Sequence, residues 1–134
     1  MSVVVLNCDG RSHLQACLPA LEAVDYQRFE VVVADNGSGD GSQAYVRAAH
    51  PRARLIEFGA NLGFARAYNL AIDQCRSDYV ALLNNDTRVE PSWLSELVDA
   101  AERHGVASAG ALVLDWEGAR VDFAGALPTA FGHA

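Results

Sequence analysis

The sequence contains no lysine, and its ten basic residues are all arginine. Seventeen acidic residues outnumber them and give a formal net charge of −7. Since binding to a nucleic-acid backbone depends on Lys and Arg at many phosphates, this charge argues against nucleic acid as a partner, although a few local groups can still hold a single nucleotide. The lack of lysine also excludes a receiver-like regulatory domain, in which Asp35 or Asp86 would be the phosphoacceptor and a late lysine is required.

Long hydrophobic runs and paired cysteines are also missing. No apolar run approaches the ~20 residues that a transmembrane helix needs, and no basic segment precedes the first apolar run, so we expect neither a membrane span nor a signal peptide. Cys8, Cys17 and Cys75 are odd in number and form no Cys-x-x-Cys pair, which indicates reduced cytosolic thiols rather than a zinc site. No Gly-x-Ser-x-Gly or Gly-x-x-x-x-Gly-Lys motif supports a serine hydrolase or a P-loop enzyme.

The sequence does contain enough apolar material for one core. Its 134 residues suit a single domain, and 51% of them are hydrophobic. Apolar runs rich in β-branched residues alternate with segments of helical periodicity, which predicts an α/β fold with a mostly parallel sheet and helices on both faces. The predicted strands are residues 3–6, 29–34, 54–58, 79–83 and 106–114, and the predicted helices are one capped by Ser12, then 42–49, 64–75 and one from Pro91 to a stop at Gly105.

Polar residues follow the first, second and fourth predicted strands. Right-handed crossovers bring the ends of parallel strands to one edge of a sheet. We therefore expect these polar clusters to share one crevice at the carboxyl edge, which is where α/β proteins bind their ligands.

The fourth predicted strand carries the candidate metal ligand. Residues 79–83 are all apolar or aromatic, which predicts a strand buried on both faces. Asn84, Asn85 and Asp86 follow it, and because unpaired polar groups cost roughly 2–7 kcal/mol in a dry core, we expect them to emerge at the sheet edge. Asp86 is a hard oxygen ligand suited to Mg²⁺ or Mn²⁺. The alternative is a strand that ends in an ordinary polar turn.

Two further segments are candidates for nucleotide contacts. Residues 35–42 contain glycines that let the backbone approach a ligand, and Asp35 can accept hydrogen bonds from a base or a ribose. Residues 61–66 begin a helix whose N–H groups suit a phosphate, and Arg66 can add charge-assisted hydrogen bonds. The alternatives are a solvent loop in which Asp35 and Ser38 cap turns, and a glycine turn followed by a surface arginine.

Together and in this order, the clusters resemble the nucleotide-sugar-binding half of family 2 glycosyltransferases with the GT-A (Rossmann-like) fold, and most closely their rhamnosyltransferase-like branch. The resemblance covers nearly the whole chain, which we interpret as one nucleotide-sugar-binding domain, residues 1–134, truncated before its fold is complete. The matching segments are 3–10 (VVVLNCDG), 33–42 (VADNGSGDGS), 61–65 (NLGFA), 82–87 (LLNNDT) and 121–125 (VDFAG).

The resemblance implies a function and a role for each matching residue. The family transfers a sugar from a nucleotide-diphosphate sugar to an acceptor hydroxyl with inversion, aided by Mg²⁺ or Mn²⁺ at the leaving diphosphate and by a carboxylate base. Asp35 would bind the base, Asp86 the metal, and Asn84 would replace the first Asp of an Asp-x-Asp-type motif. The implied donor ligands are Asn7, Asp9, Asp35, Asn36, Asn61, Gly63, Arg66, Asn84 and Asn85, of which Asn61, Gly63 and Arg66 would lie near the diphosphate and sugar.

The chain departs from the family pattern after its first strand. Cys8 stands where relatives commonly have a tyrosine that stacks on the base, and Asp9 stands where Asn is common. The family's acceptor-binding half and catalytic base lie beyond the matching part, and Asp115, Glu117 and Asp122 do not match that base.

The resemblance also implies partners and a location. It implies a glycan or lipid-linked acceptor and a cytoplasmic protein, and it leaves peripheral attachment to the inner face of a membrane open. A truncated fold would expose apolar surface, so we expect the isolated chain to self-associate. The alternative function is a non-catalytic nucleotide-binding or interaction module with the same fold.

Overall fold

The computed structural model describes residues 1–124. The chain divides into two compact units, Met1–Pro91 and Ser92–Ala134. Every helix within the described residues is too short or too polar to cross a lipid bilayer.

A four-stranded parallel sheet forms the centre of the first unit. Its strands are β1 (Ser2–Asn7), β2 (Glu30–Asp35), β3 (Arg54–Glu57) and β4 (Val80–Asn84), in the order β3-β2-β1-β4. The connecting helices are α1 (Arg11–Glu22), α2 (Ser42–Ala49) and α3 (Phe64–Ile72). The register pairs Asn7 with Asp35 and Leu6 with Asn84, so three strands end at one level. The predicted α/β fold with a parallel sheet is confirmed.

Helices cover both faces of this sheet. The side chains of a strand alternate between the two faces, so the apolar residues of the inner strands need cover on each side. One face packs against α3 in a single cluster of buried residues: Val4, Leu6, Val32, Ala34, Ile56, Ala67, Tyr68 and Ala71. Val3, Val5 and Val33 point to the other face and are fully buried. From β1 the chain adds β2 and then β3 on one side, whereas β4 lies on the other side of β1. Right-handed crossovers therefore place α1 and α2 on one face of the sheet and α3 on the other face.

The strand β4 lies at an edge of the sheet. Ala81 and Leu83 are buried, but Leu82 is 51% exposed and Tyr79 is 42% exposed. The prediction that residues 79–83 are buried on both faces is therefore wrong. The physical reason is position, since the cluster beneath α3 draws on β1, β2 and β3 and includes β4 only through the partly buried Val80.

The helix boundaries differ from the predicted ones by a few residues. The first helix begins at Arg11, directly after Gly10, so Ser12 is not its N-cap. The third ends at Ile72 rather than at Cys75. The strand 54–58 and the helix 42–49 are confirmed to within one residue.

The second unit contains one helix and one hairpin within residues 92–124. The helix α4 (Trp93–His104) follows Ser92 rather than beginning at Pro91, and Gly105 ends it with a φ of +59°, as predicted. The predicted strand 106–114 is reduced to β5 (Val113–Leu114), which pairs antiparallel with β6 (Val121–Phe123). Residues 107–110 are Ala, Ser, Ala and Gly, which favour strands weakly.

The turn of this hairpin matches the predicted turn at residues 115–118. The N–H of Gly118 donates to the carbonyl of Asp115, and Gly118 adopts a φ of +70°. Most of the resembling segment 121–125 lies in β6, but its last residue is outside the described residues. Leu112, Trp116 and Val121 are all more than half exposed. Self-association of the chain stays a prediction.

Candidate functional site

The carboxyl edge of the sheet holds a cavity of about 350 Å³. The ends of β1, β2 and β4 and the start of α3 all contribute to it. Its lining consists of Leu6, Cys8, Asn36, Asn61, Phe64, Asn84, Asn85 and Asp86. The prediction that the polar clusters after strands one, two and four meet in one crevice is confirmed by this lining.

Asp35 anchors the loop that follows β2. Its carboxylate is 1% exposed, and Oδ1 accepts hydrogen bonds from the Ser38 N–H (3.0 Å) and from Gln43 Nε2 (2.8 Å). Oδ2 accepts from Asn7 Nδ2 (3.1 Å) and from Ser38 Oγ (2.6 Å). A carboxylate has about four lone-pair sites, and these four protein donors occupy them. The contacts show that Asp35 holds the loop in place. Contact between Asp35 and a base stays a prediction.

Asn36 and Asn61 join the loop after β2 to the loop before α3. Asn36 Nδ2 donates to Asn61 Oδ1 (3.1 Å), and Asn36 Oδ1 accepts from the Leu62 N–H (2.8 Å). Asn61 Oδ1 also accepts from the N–H of Gly63 (2.9 Å). Asn61 Nδ2 points to Cys8 Sγ at 3.5 Å, so the exposed thiol of Cys8 lies inside the crevice. These contacts shape the wall that faces Asp86.

Asp9 ties β1 to the same loop from the other side. It is the one described non-glycine residue with positive φ (+48°), a conformation that Asp tolerates better than most residues. Its N–H donates to Ser38 Oγ (2.9 Å), and its Oδ1 accepts from the Gly39 N–H (2.7 Å). Asp9 therefore lies at the site, where it supports the loop.

Asn7 and Asn85 lie between the loops after β2 and β4. The side chain of Asn7 is fully buried. Its Nδ2 donates to Asp35 Oδ2 and to Ser38 Oγ (3.0 Å), and its Oδ1 accepts from Asn85 Nδ2 (2.7 Å). Both amides are thus used within the protein.

Asp86 is the charged group that the crevice presents. Its carboxylate is exposed, and no residue among the described 124 gives it a hydrogen bond or an ion pair. Its charge also acts on buried neighbours. Burial, and to a smaller extent Asp86, raises the pKa of the Cys17 thiol to about 12. Burial raises the pKa of Tyr68 to about 12, against a hydrogen bond that lowers it and with a further raising contribution from Asp86.

Metal binding at Asp86 would require ligands from outside the protein. Residues 1–124 contain no group of three His, Cys, Asp or Glu side chains placed to hold an ion. The donor set at the crevice is one free carboxylate and neighbouring amide oxygens, which are hard ligands. These residues fit Mg²⁺ or Mn²⁺ where waters or the oxygens of a bound ligand complete the coordination shell.

Arg66 and Gly63 lie at the start of α3. Arg66 is exposed and forms no ion pair with a described residue, and neither Arg66 nor Gly63 is among the residues that line the crevice. Gly63 has a φ of +82° and a ψ of +163°, a conformation essentially limited to glycine. Asn84 is exposed, and its Oδ1 lies 3.4 Å from the Tyr68 hydroxyl.

The turn that Ser38 makes onto Asp35 is one of the predicted alternatives, and the contacts of Ser38 with both Asp35 oxygens confirm it. Two supporting residues were missed by the sequence interpretation. Gln43 in α2 donates to Asp35, and Gly10 leaves room for Asn85 beside Asn7. Neither role leaves a signal in the local sequence, because each depends on a contact with a distant segment.

A larger cavity of about 590 Å³ lies at the opposite, amino-terminal edge of the sheet, between the end of α1 and the start of β2. It contains none of the predicted site residues. Volume alone would favour it, but ligands of α/β proteins bind at the carboxyl ends of strands. We therefore assign the candidate site to the smaller crevice.

The fold and the crevice define an α/β protein with a ligand site at the carboxyl edge of a parallel sheet. Residues 2–127 match the family described as glycosyl transferase family 2. The chain belongs to that family. It is 31% identical, over 96% of its length, to N-acetylglucosaminyl-diphospho-decaprenol L-rhamnosyltransferase of Mycobacterium tuberculosis, and it covers 46% of that protein. It is 38% identical over 57% of its length to the succinoglycan biosynthesis protein ExoO of Rhizobium meliloti, of which it covers 22%.

Solved structures share the fold. TarS 1–349 of S. aureus in complex with UDP-GlcNAc superposes with a TM-score of 0.71 at 22% identity, over 78% of this chain and 31% of that one. The mannosyltransferase PcManGT from Pyrobaculum calidifontis, in complex with GDP-Man and Mn²⁺, gives a TM-score of 0.69 at 27% identity, over 75% and 31%. The chain thus spans less than half the length of these relatives.

Proposed function

We propose that this chain is the donor-binding part of an inverting glycosyltransferase that uses a nucleotide-diphosphate sugar and Mg²⁺ or Mn²⁺. The acceptor would be a hydroxyl of a glycan or a lipid-linked sugar, at the cytoplasmic face of a membrane. Family membership and a rhamnosyltransferase relative support this proposal. The acceptor-binding part and the base that deprotonates the acceptor are assigned to no residue of this chain.

The single observation that carries the proposal is the carboxylate of Asp86, without a described partner, in a crevice lined otherwise by amides, the Cys8 thiol and apolar groups. Asp86 is exposed to water, and if a bound donor excluded that water, a cation would compensate the otherwise unpaired charge. Bound there, a divalent ion would neutralise charge on the leaving diphosphate. Asp86 and the diphosphate would share its coordination shell.

Further predicted residues at this sheet edge would complete the donor site. Arg66, free of described ion pairs, would bind a phosphate oxygen in a charge-assisted manner. The loop fixed by Asp35 would border the nucleoside, with the exposed Cys8 beside it. Asn61 and Gly63 would border the diphosphate and sugar.

Calorimetric titration of uridine and deoxythymidine diphosphates into the 134-residue chain tests this proposal. We expect binding that depends on Mn²⁺ and that is lost in Asp86→Ala. Asp78→Ala provides a matched control, because Asp78 is an exposed aspartate of the same unit that precedes the amino end of β4, away from the crevice. Its affinity should equal that of the wild type.

Two results would count against the proposal. Equal loss of binding in both aspartate variants would mean that general charge, and not the site, governs affinity. No binding at all in a folded wild-type chain would favour a non-catalytic module with this fold.

A further inference from the structure

An unbroken series of side-chain hydrogen bonds runs across the sheet edge from β4 to β2. Asn85 Nδ2 donates to Asn7 Oδ1 at 2.7 Å, and Asn7 Nδ2 donates to Asp35 Oδ2 at 3.1 Å. Asn85 precedes Asp86, and Asp35 fixes Ser38 through both of its oxygens. The series therefore connects the segment that bears the candidate metal ligand with the loop that borders the nucleoside.

Gly10 leaves the space in which this series forms. A Cβ at position 10 would lie 2.0 Å from Asn85 Nδ2 and 2.8 Å from Asn7 Oδ1, the two atoms of the first hydrogen bond. The backbone of Gly10 has a φ of −111°, which any residue can adopt. Glycine is thus required here by the close approach of Asn85 and not by backbone conformation.

We propose that the series Asn85–Asn7–Asp35 is a positioning device that couples the nucleoside half of the donor crevice to its diphosphate half. The inference rests on the proposed function and changes the part given to two residues. Asn7 is fully buried, and its amide oxygen and nitrogen both have protein partners. Asn7 and Asn85 therefore act on the donor through Asp35 and Asp86, by holding the two loops at one separation.

The main test measures how much Mn²⁺ strengthens nucleoside diphosphate binding, as the ratio of Kd without the metal to Kd with it. In Asn7→Leu we expect this ratio to fall about tenfold, the effect of losing one hydrogen bond to a charged group. A merely structural role would reduce the folded fraction and weaken both Kd values alike. An unchanged ratio in a folded Asn7→Leu chain would overturn the proposal.

Asn7→Asp gives the same test a pH dependence. The new carboxylate would lie about 3 Å from Asp35, and two carboxylates sharing a site raise the pKa of one of them. Below that raised pKa, the shared proton restores a donor toward Asp35, whereas above it both groups are charged and repel. The ratio of Kd without Mn²⁺ to Kd with Mn²⁺ should equal that of the wild type near pH 5. It should fall below the wild-type ratio as the pH rises. A ratio independent of pH would contradict the coupling.

A substitution at Gly10 probes the same device from outside it. Gly10→Ala should displace Asn85 and lower the metal ratio as Asn7→Leu does. Gly110→Ala is the control, since a Cβ there meets no atom within 4 Å and its φ is not positive. Equal ratios in the two alanine variants would overturn the assignment of Gly10.

A measurement without ligand separates this inference from the proposed function. In the NMR spectrum of Asn7→Asp, the signals of the Ser38 backbone amide and the Asn85 side-chain amide should show one common midpoint that is absent from the wild type, because both groups contact the series directly. A response confined to one loop would overturn the coupling even in a chain that binds no nucleotide. A common midpoint without nucleotide binding would support the coupling and contradict only the proposed function.

Discussion

Gly37 packs closely on the loop before α3. A Cβ at this position would lie 2.6 Å from the carbonyl carbon of Ala60, 2.7 Å from its Cα and 2.8 Å from the Asn61 nitrogen. All three atoms belong to the backbone, which cannot move aside as the end of a flexible side chain can. Gly37→Ala should therefore push Ala60 and Asn61 away from the loop after β2.

Two costs add in this variant. Gly37 has a φ of +82°, and a residue with a Cβ loses roughly 1–2 kcal/mol in the left-handed region. Overpacking against fixed atoms costs roughly a further 1–3 kcal/mol. We expect the free energy of unfolding to fall by about 2–5 kcal/mol. Displacement of Asn61 should also weaken its hydrogen bond with Asn36 and, under the proposed function, weaken nucleotide binding.

Gly59→Ala separates the two costs. Gly59 belongs to the same unit and has a φ of +72°, but a Cβ there meets no atom within 4 Å. Gly59→Ala should show only the cost of the left-handed conformation and not the cost of overpacking. Both variants reduce the entropy of the unfolded chain equally, so this effect cancels in the comparison. Urea denaturation followed by circular dichroism gives both values. Equal losses in Gly37→Ala and Gly59→Ala would refute the contact between the loops.

Two further predictions concern stability. Because Cys17 and Tyr68 have ordinary pKa values of 9.0 and 10.0 that the fold raises to about 12, unfolding above pH 9 releases protons. The free energy of unfolding should then fall as the pH rises, by up to about 1.4 kcal/mol per pH unit for each group. The fall should be less steep in Cys17→Ala, which lacks one of the two groups. An unchanged slope in that variant would contradict the assignment to Cys17. Leu14 is fully buried and Leu82 is 51% exposed, so Leu14→Ala should cost about 2–5 kcal/mol and Leu82→Ala within about 0.5 kcal/mol. Denaturant titration of both variants measures this difference, and comparable losses would show that β4 is covered in solution.

The sequence allowed the parallel sheet to be predicted because β-branched runs and helical periodicity report burial directly. β1 shows this well, since every residue of Ser2–Asn7 is buried. The position of a strand within the sheet affects the composition of that strand less. The run 79–83 is as apolar as an inner strand, yet β4 lies at the edge with Leu82 exposed. Local composition records the tendency to form a strand, whereas the order β3-β2-β1-β4 depends on long-range packing.

The candidate site shows the same division. Polar residues at strand ends predicted which segments meet, and the lining of the crevice confirms that they do. Residue types could not predict which polar groups face one another and which stay open to a ligand. Asp35 and Asp86 are both aspartates at the carboxyl ends of strands, but four protein donors surround the first and no described residue pairs with the second. That difference is set by the path of the loop 35–42, which the alternation of elements does not determine.

The use of amides at this edge gives Asp86 its importance. An amide both donates and accepts, so Asn36 and Asn61 can bond to each other without adding charge. Of the described residues that line the crevice, Asp86 alone is charged. A diphosphate placed beside a lone carboxylate meets repulsion that grows as water is excluded. Under the proposed function, we therefore expect a diphosphate to bind at this crevice together with a cation, so that nucleotide affinity would depend strongly on the metal.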